Sequence, residues 1–148
     1  MKIFVGADHG GFMLKEKIKN WLTQEKYEVE DCGAFELNPA DDYPDFGFAV
    51  AEKVARDAES RGIAFCRSGA GVVIAANKVP GVRAVDGYDV TRTKHARNDN
   101  NANVLGISAD WLNEKQTKEN VKAFLETPFS NQERHIRRIQ KIAAHEQK

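Results

Sequence analysis

The residues best suited to chemistry in this chain are Cys66 and the five that follow it, Arg67-Ser68-Gly69-Ala70-Gly71. Cys66 closes a compact apolar run, Gly62-Ile63-Ala64-Phe65-Cys66, and the small-residue loop leads into an apolar helix start over residues 72–77. A thiol between a strand end and a helix N-terminus faces unpaired backbone N–H groups that carry partial positive charge. Such surroundings lower a thiol's pKa and yield a thiolate able to act as base or nucleophile. The same N–H groups are placed to hold an enediolate or a phosphate oxygen. A cysteine ending a buried strand also serves simply as a small hydrophobe, and residue type alone does not separate the two. Cys32, followed only by Gly33, reads as core.

Asp8-His9-Gly10-Gly11 is a second such place. Its glycines let backbone approach a ligand closely, and Asp and His bond sugar hydroxyls or a phosphate. The competing reading is a turn with an Asp helix cap. Arg134 and Arg138, four apart on a predicted helix, project from one face as a phosphate clamp or as an ordinary solvated basic face. Residues 98–101, Asn-Asp-Asn-Asn, read alone as a turn. The double glycine is not a dinucleotide fingerprint and no Walker sequence occurs, so no nucleotide cofactor is implied.

Strand-like and helix-like segments alternate and would position these groups. Strands are expected over residues 2–7, 27–32, 62–66, 82–85 and 104–107. Helices are expected over residues 12–25, from Tyr43-Pro44, from Val72, and over 88–98, 113–125 and 132–145. In the first helix, Leu14, Ile18, Trp21 and Leu22 make the apolar face, with lysines opposite. The alternation predicts a doubly wound, three-layer α/β sandwich around a five-stranded parallel sheet, in a single domain over residues 1–148. Ligands bind such sheets beyond the C-terminal strand ends. Asp8 to Gly11, Cys66 to Gly71 and Asp99-Asn100 are expected to meet there.

Lys plus Arg and Asp plus Glu number 22 each, so a basic excess typical of nucleic-acid binders is missing. The C-terminal run with Arg134, Arg137, Arg138 and Lys141 is a local exception. No apolar run approaches the ~18 residues of a membrane span. Two cysteines in no metal-ligand or disulfide spacing, with no export signal, point to a reducing cytosol. Neither nucleic acid nor membrane is an expected partner.

Several motifs together resemble the type-B ribose-5-phosphate isomerases and their relatives, the galactose-6-phosphate isomerase subunits. They are Gly6-Ala7-Asp8-His9-Gly10-Gly11-Phe12, Asp42-Tyr43-Pro44, Cys66-Arg67-Ser68-Gly69-Ala70-Gly71, Ile74-Ala75-Ala76-Asn77-Lys78, Gly81-Val82-Arg83-Ala84, Asn100-Asn101-Ala102-Asn103-Val104-Leu105 and Arg134-His135-Ile136-Arg137-Arg138. They occur in order along nearly the whole chain. The resemblance implies an aldose–ketose isomerisation of a sugar phosphate through an enediolate, without metal or other cofactor. Cys66 matches the base; another branch carries a glutamate where this chain has Val72. Ser68 matches a hydroxyl that moves protons between oxygens, and the N–H groups from Arg67 through Gly69 and Ala70 to Gly71 match the anion hole. Asp8, His9 and Asn100 match substrate contacts, and Arg134 and Arg138 the phosphate pair. The resemblance also implies a homodimer or tetramer with each site completed by a neighbouring subunit.

Three residues depart from that pattern. Asp99 stands where the family has the histidine that opens the sugar ring, making Asp99 the matching acid–base position; His95, one turn earlier, would replace it only if the helix extends that far and the geometry brings it to the site. Asp110 stands where an arginine helps to hold phosphate, and Arg67 where a glycine follows the cysteine. They leave open a different sugar phosphate as substrate, or a binder that has lost turnover.

Overall fold

A computed structural model describes residues 1–148. Five parallel strands, β1 (Lys2–Ala7), β2 (Glu28–Asp31), β3 (Arg61–Cys66), β4 (Ala84–Asp86) and β5 (Val104–Ser108), lie in the order β2-β1-β3-β5-β4. The three central strands are nearly continuous runs of buried residues, as a parallel sheet covered on both faces requires. Alternate side chains divide the core. Ile3, Val5 and Ala7 of β1 join Ile63, Phe65, Leu105 and Ile107 under helices α1 (Phe12–Gln24) and α5 (Glu114–Glu126). Phe4 and Val104 point the other way, against Val50, Ala51 and Val54 of α2 (Tyr43–Ala55) and Ala76 of α3 (Ala70–Ala76). The structure is the expected three-layer α/β sandwich.

The chain runs outward from β1 to β2 and then returns to β3 on the other side of β1. The switch between these directions opens a crevice at the C-terminal ends of β1 and β3, where Asp8 and Cys66 stand.

Differences from the sequence expectation have local causes. The fourth strand begins at Ala84 because Val82 closes a turn onto Val79 O and Asn77 brackets Ala84 through both its backbone groups. Helix α4 (Val90–Asn100) runs two residues further than expected and stops at Asn101, in the left-handed conformation at φ 47°. Lys15 is not on a solvated face: it is fully buried, its Nζ 2.8 and 2.9 Å from the two oxygens of Asp31 and also donating to Ala34 O.

One consequence of topology overturns the expected convergence of three segments. Helix α4 leaves β4 at the C-terminal edge and runs back against the strands, so Asp99 and Asn100 lie at the N-terminal edge, beside the start of β5. Arg83 Nε donates to Asn100 O there, just ahead of β4. The length of β5, about 16 Å for five residues at ~3.3 Å each, separates this edge from Cys66. The last helix, α6 (Glu133–Glu146), packs beside α4 and buries only His135.

Candidate active site

Cys66 is 3% exposed at the end of β3. The loop after it folds back so that Gly69 N–H donates to Cys66 Sγ at 3.1 Å. That return depends on Gly69, whose φ of 78° is left-handed, and a Cβ there would lie 3.0 Å from Ser108 N. Ser68 is exposed beside the thiol, its Oγ accepting from Ala70 N–H at 3.2 Å. The N–H groups of Ser68, Gly71 and Val72 have no acceptor within the chain. They form a set of donors around a sulfur that is itself hydrogen-bonded, the arrangement that holds an oxyanion next to a base.

Strand β5 anchors this loop from behind. Ser108, paired in register with Cys66, donates its hydroxyl to Arg67 O at 2.7 Å and accepts from Trp111 N–H. Ala109 N–H bonds Cys66 O and Asp110 N–H bonds Arg67 O. The Arg67 side chain leaves the loop over Gly10, where a Cβ would come 2.2 Å from its Cγ. Its Nε lies 3.4 Å from Asp110 Oδ2.

Across the crevice, Asp8 is 5% exposed and takes the Gly11 N–H at 3.1 Å on Oδ1. Burial pushes its carboxyl above the usual range, against the pull of that N–H. Gly11 crosses directly over Phe65, whose carbonyl carbon would be 2.6 Å from a Cβ at this position. His9 is fixed by Asp41: Oδ1 lies 2.8 Å from both the backbone N and the imidazole Nδ1. The bond to Asp41 holds the imidazole above its ordinary 6.5, with Asp8 adding to the effect.

The predicted site residues therefore form two groups. Asp8, His9, Cys66, Arg67, Ser68, Gly69, Ala70 and Gly71 share the C-terminal edge. Asp99, Asn100, Arg134 and Arg138 belong to the opposite side, where the exposed α6 arginines flank His135. At this second place Asp99 Oδ2 is 2.8 Å from His95 Nε2 and 3.8 Å from His135 Nε2, while Oδ1 accepts from Asn98 Nδ2 at 2.7 Å. Sequence reasoning missed Asp41, Ser108 and Lys15. The loop over residues 33–42 signals a turn without saying which of its polar residues returns to His9, and a strand-end serine looks like any other.

A parallel α/β sandwich with a buried cysteine and unpaired backbone N–H groups at its switch point is the arrangement of an enzyme for small anionic substrates. The chain belongs to the ribose/galactose isomerase family, whose model matches residues 3–142. It is similar to ribose-5-phosphate isomerase B of Mycolicibacterium paratuberculosis, 41% identical over 99% of this chain and 92% of the relative. Among solved structures it resembles ribose-5-phosphate isomerase B of Mycoplasma genitalium with bound ribulose-5-phosphate: TM-score 0.95, 38% identity, covering 99% of this chain and 97% of the other. The Clostridium thermocellum ribose-5-phosphate isomerase B matches at TM-score 0.93 and 40% identity, over 99% and 98% of the two chains. The chain is an isomerase of this family.

Proposed function

We propose that the chain interconverts ribose 5-phosphate and ribulose 5-phosphate through an enediolate formed at Cys66, in a site shared between two copies of the chain. The observation that carries the chemistry is Cys66 Sγ, buried, bonded by Gly69 N–H and bordered by free N–H donors. As thiolate, Cys66 takes the proton from C2 of the open-chain aldose. The electrons left on C2 form the C1–C2 double bond, and the carbonyl oxygen becomes an oxyanion facing the N–H groups of residues 68–72. Ser68 Oγ passes a proton between O2 and O1, and Cys66 returns its proton to C1. His9, whose imidazole Asp41 holds above its ordinary 6.5, suits the anionic end of the substrate. A reducing, cytosolic setting suits the free thiol.

Two observations support the shared site. The phosphate-clamp residues stand a strand's length from Cys66 within one chain. The helix that bears Arg134 and Arg138 buries one residue of fourteen, leaving Ile136 and Ile142 exposed. A second copy covers that apolar stripe and brings the arginines to the neighbour's crevice. Arg67 and Asp110 neutralise each other at the mouth, so the carboxylate does not face a phosphate unpaired and gives no reason to look for another substrate.

Mixing inactive variants tests the sharing. Cys66→Ala and the Arg134→Ala/Arg138→Ala double variant, refolded together, should regain about a quarter of wild-type activity, the share of intact sites in random dimers. No recovery, with mixed dimers verified, would mean that each copy carries its own complete site.

A further inference from the structure

An aldopentose 5-phosphate exists in water chiefly as a furanose, a hemiacetal closed by a C1–O4 bond. Abstraction of the C2 proton gives an enediolate only when C1 is a free carbonyl, so the ring must open first. Opening needs a group that gives a proton to O4 and takes one from the C1 hydroxyl.

The geometry around Asp99 eliminates Asp99 itself. Both of its oxygens already accept hydrogen bonds, from Asn98 Nδ2 and His95 Nε2. The Asn98 amide and the two nearby histidines hold its carboxyl below the usual range against a smaller cost of burial, so it has no proton to give. His135 is 3% exposed, with Nδ1 2.7 Å from Ser130 Oγ and Nε2 3.8 Å from Asp99 Oδ2, so burial keeps its ring from reaching a substrate. His95 is different. Its side chain is 73% exposed and only one nitrogen is engaged. An ionised Asp99 can only accept, so His95 Nε2 carries the proton of that bond and Nδ1 has no partner within the chain.

We propose that His95 is a catalytic residue of this isomerase, opening the furanose ring through Nδ1, and that Asp99 is the positioning residue that orients it. The proposal rests on the reading that this edge closes over Cys66 of a second copy. The imidazolium gives its Nδ1 proton to O4 as the C1–O4 bond breaks, the electron pair staying on O4. The C1 hydroxyl becomes a protonated carbonyl and passes its proton back to Nδ1, leaving the free aldehyde and an unchanged His95. The i,i+4 spacing on α4 aligns the pair, and Asn98 Nδ2 holds the other carboxylate oxygen.

The test uses the fact that ribulose 5-phosphate cannot form this ring: with O5 phosphorylated, its C2 carbonyl has no hydroxyl at furanose distance. In His95→Gln, turnover at saturating ribose 5-phosphate should fall at least ~100-fold, the low end for acid–base catalysis. It should also stop rising with enzyme concentration, because spontaneous opening supplies the aldehyde. Exchange of the C1 protons of ribulose 5-phosphate with heavy water should stay near the wild-type rate. Asp99→Asn should show the same split, and the double variant should be no slower than His95→Gln. Wild-type turnover in His95→Gln, or this split appearing in His9→Gln instead, overturns the assignment. Equal loss of exchange and turnover places His95 in the enolisation or the fold and overturns it as well. A wild type without exchange overturns the isomerase reading and takes this assignment with it.

Discussion

Arg67 Nε and Asp110 Oδ2 lie 3.4 Å apart at the mouth of the active site, joining two of the three positions at which this chain departs from its family's pattern. On the proposed function the two changes compensate: an acid stands where the resemblance implies an arginine after β5, and the loop after β3 supplies a cation beside it. Both side chains are well exposed, 69% and 49%, so the pair adds little to stability. Its effect is expected in binding. Arg67→Ala leaves a carboxylate facing the substrate's dianion and should raise KM about tenfold, equivalent to ~1.4 kcal/mol. Arg67→Ala/Asp110→Ala should recover most of that loss, and unfolding midpoints should barely move in either variant. Additive losses in a double-mutant cycle on KM would contradict the compensation.

Lys15 supports the site from within. Its ammonium bridges Asp31 and Ala34 O, and the backbone of residues 33 and 34 pairs with Ala7, the residue before Asp8. Lys15→Met fits the cavity but leaves Asp31 and a carbonyl short of a buried partner. It should destabilise the fold by about 3 kcal/mol or more, read as a lower urea midpoint with unchanged slope.

Asp31 also gives a signed pH dependence. Burial raises its carboxyl, but Lys15, Lys19 and the Gly33 N–H outweigh this and hold it below its ordinary 3.8. The folded value is depressed, so the contribution to stability is present above pH 3.8 and is lost as pH falls through the lower folded value. Asp31→Asn should flatten the acid limb of a stability–pH curve; a limb identical to wild type would show that Asp31 is not the group responsible.

His9 carries the opposite sign. Its folded value is raised above 6.5 by the bond to Asp41, so the pair's stabilisation is complete below pH 6.5 and disappears as pH rises through the raised value. Substrate affinity should weaken over the same interval as the cation is lost. Asp41→Asn should move the imidazole titration, followed by NMR, back toward 6.5 and shift the KM–pH profile with it. An unmoved titration would mean that Asp41 does not set it.

Much of this was readable from residue order. The central strands are short apolar runs, and a cysteine before five small or polar residues marks the crevice. What escaped were relations across distance. Lys15 is the same residue type as its solvated neighbours on α1, and only Asp31, sixteen residues on, explains its burial. Asp41 is 32 residues from His9. Asp99 and Asn100 were expected beside Cys66, with the end of the fourth βα unit at the C-terminal edge; the direction of α4 puts them at the far edge.

The most direct test of Cys66 as base is the fate of the C2 proton. The wild type and Cys66→Ala are incubated with ribose 5-phosphate in heavy water and followed by NMR for ketose and for deuterium at C1 and C2. Ketose and deuterium from the wild type, with both at least ~100-fold slower in a folded Cys66→Ala, is the predicted result. Undiminished exchange in Cys66→Ala would contradict the account, because another base would then be removing the proton.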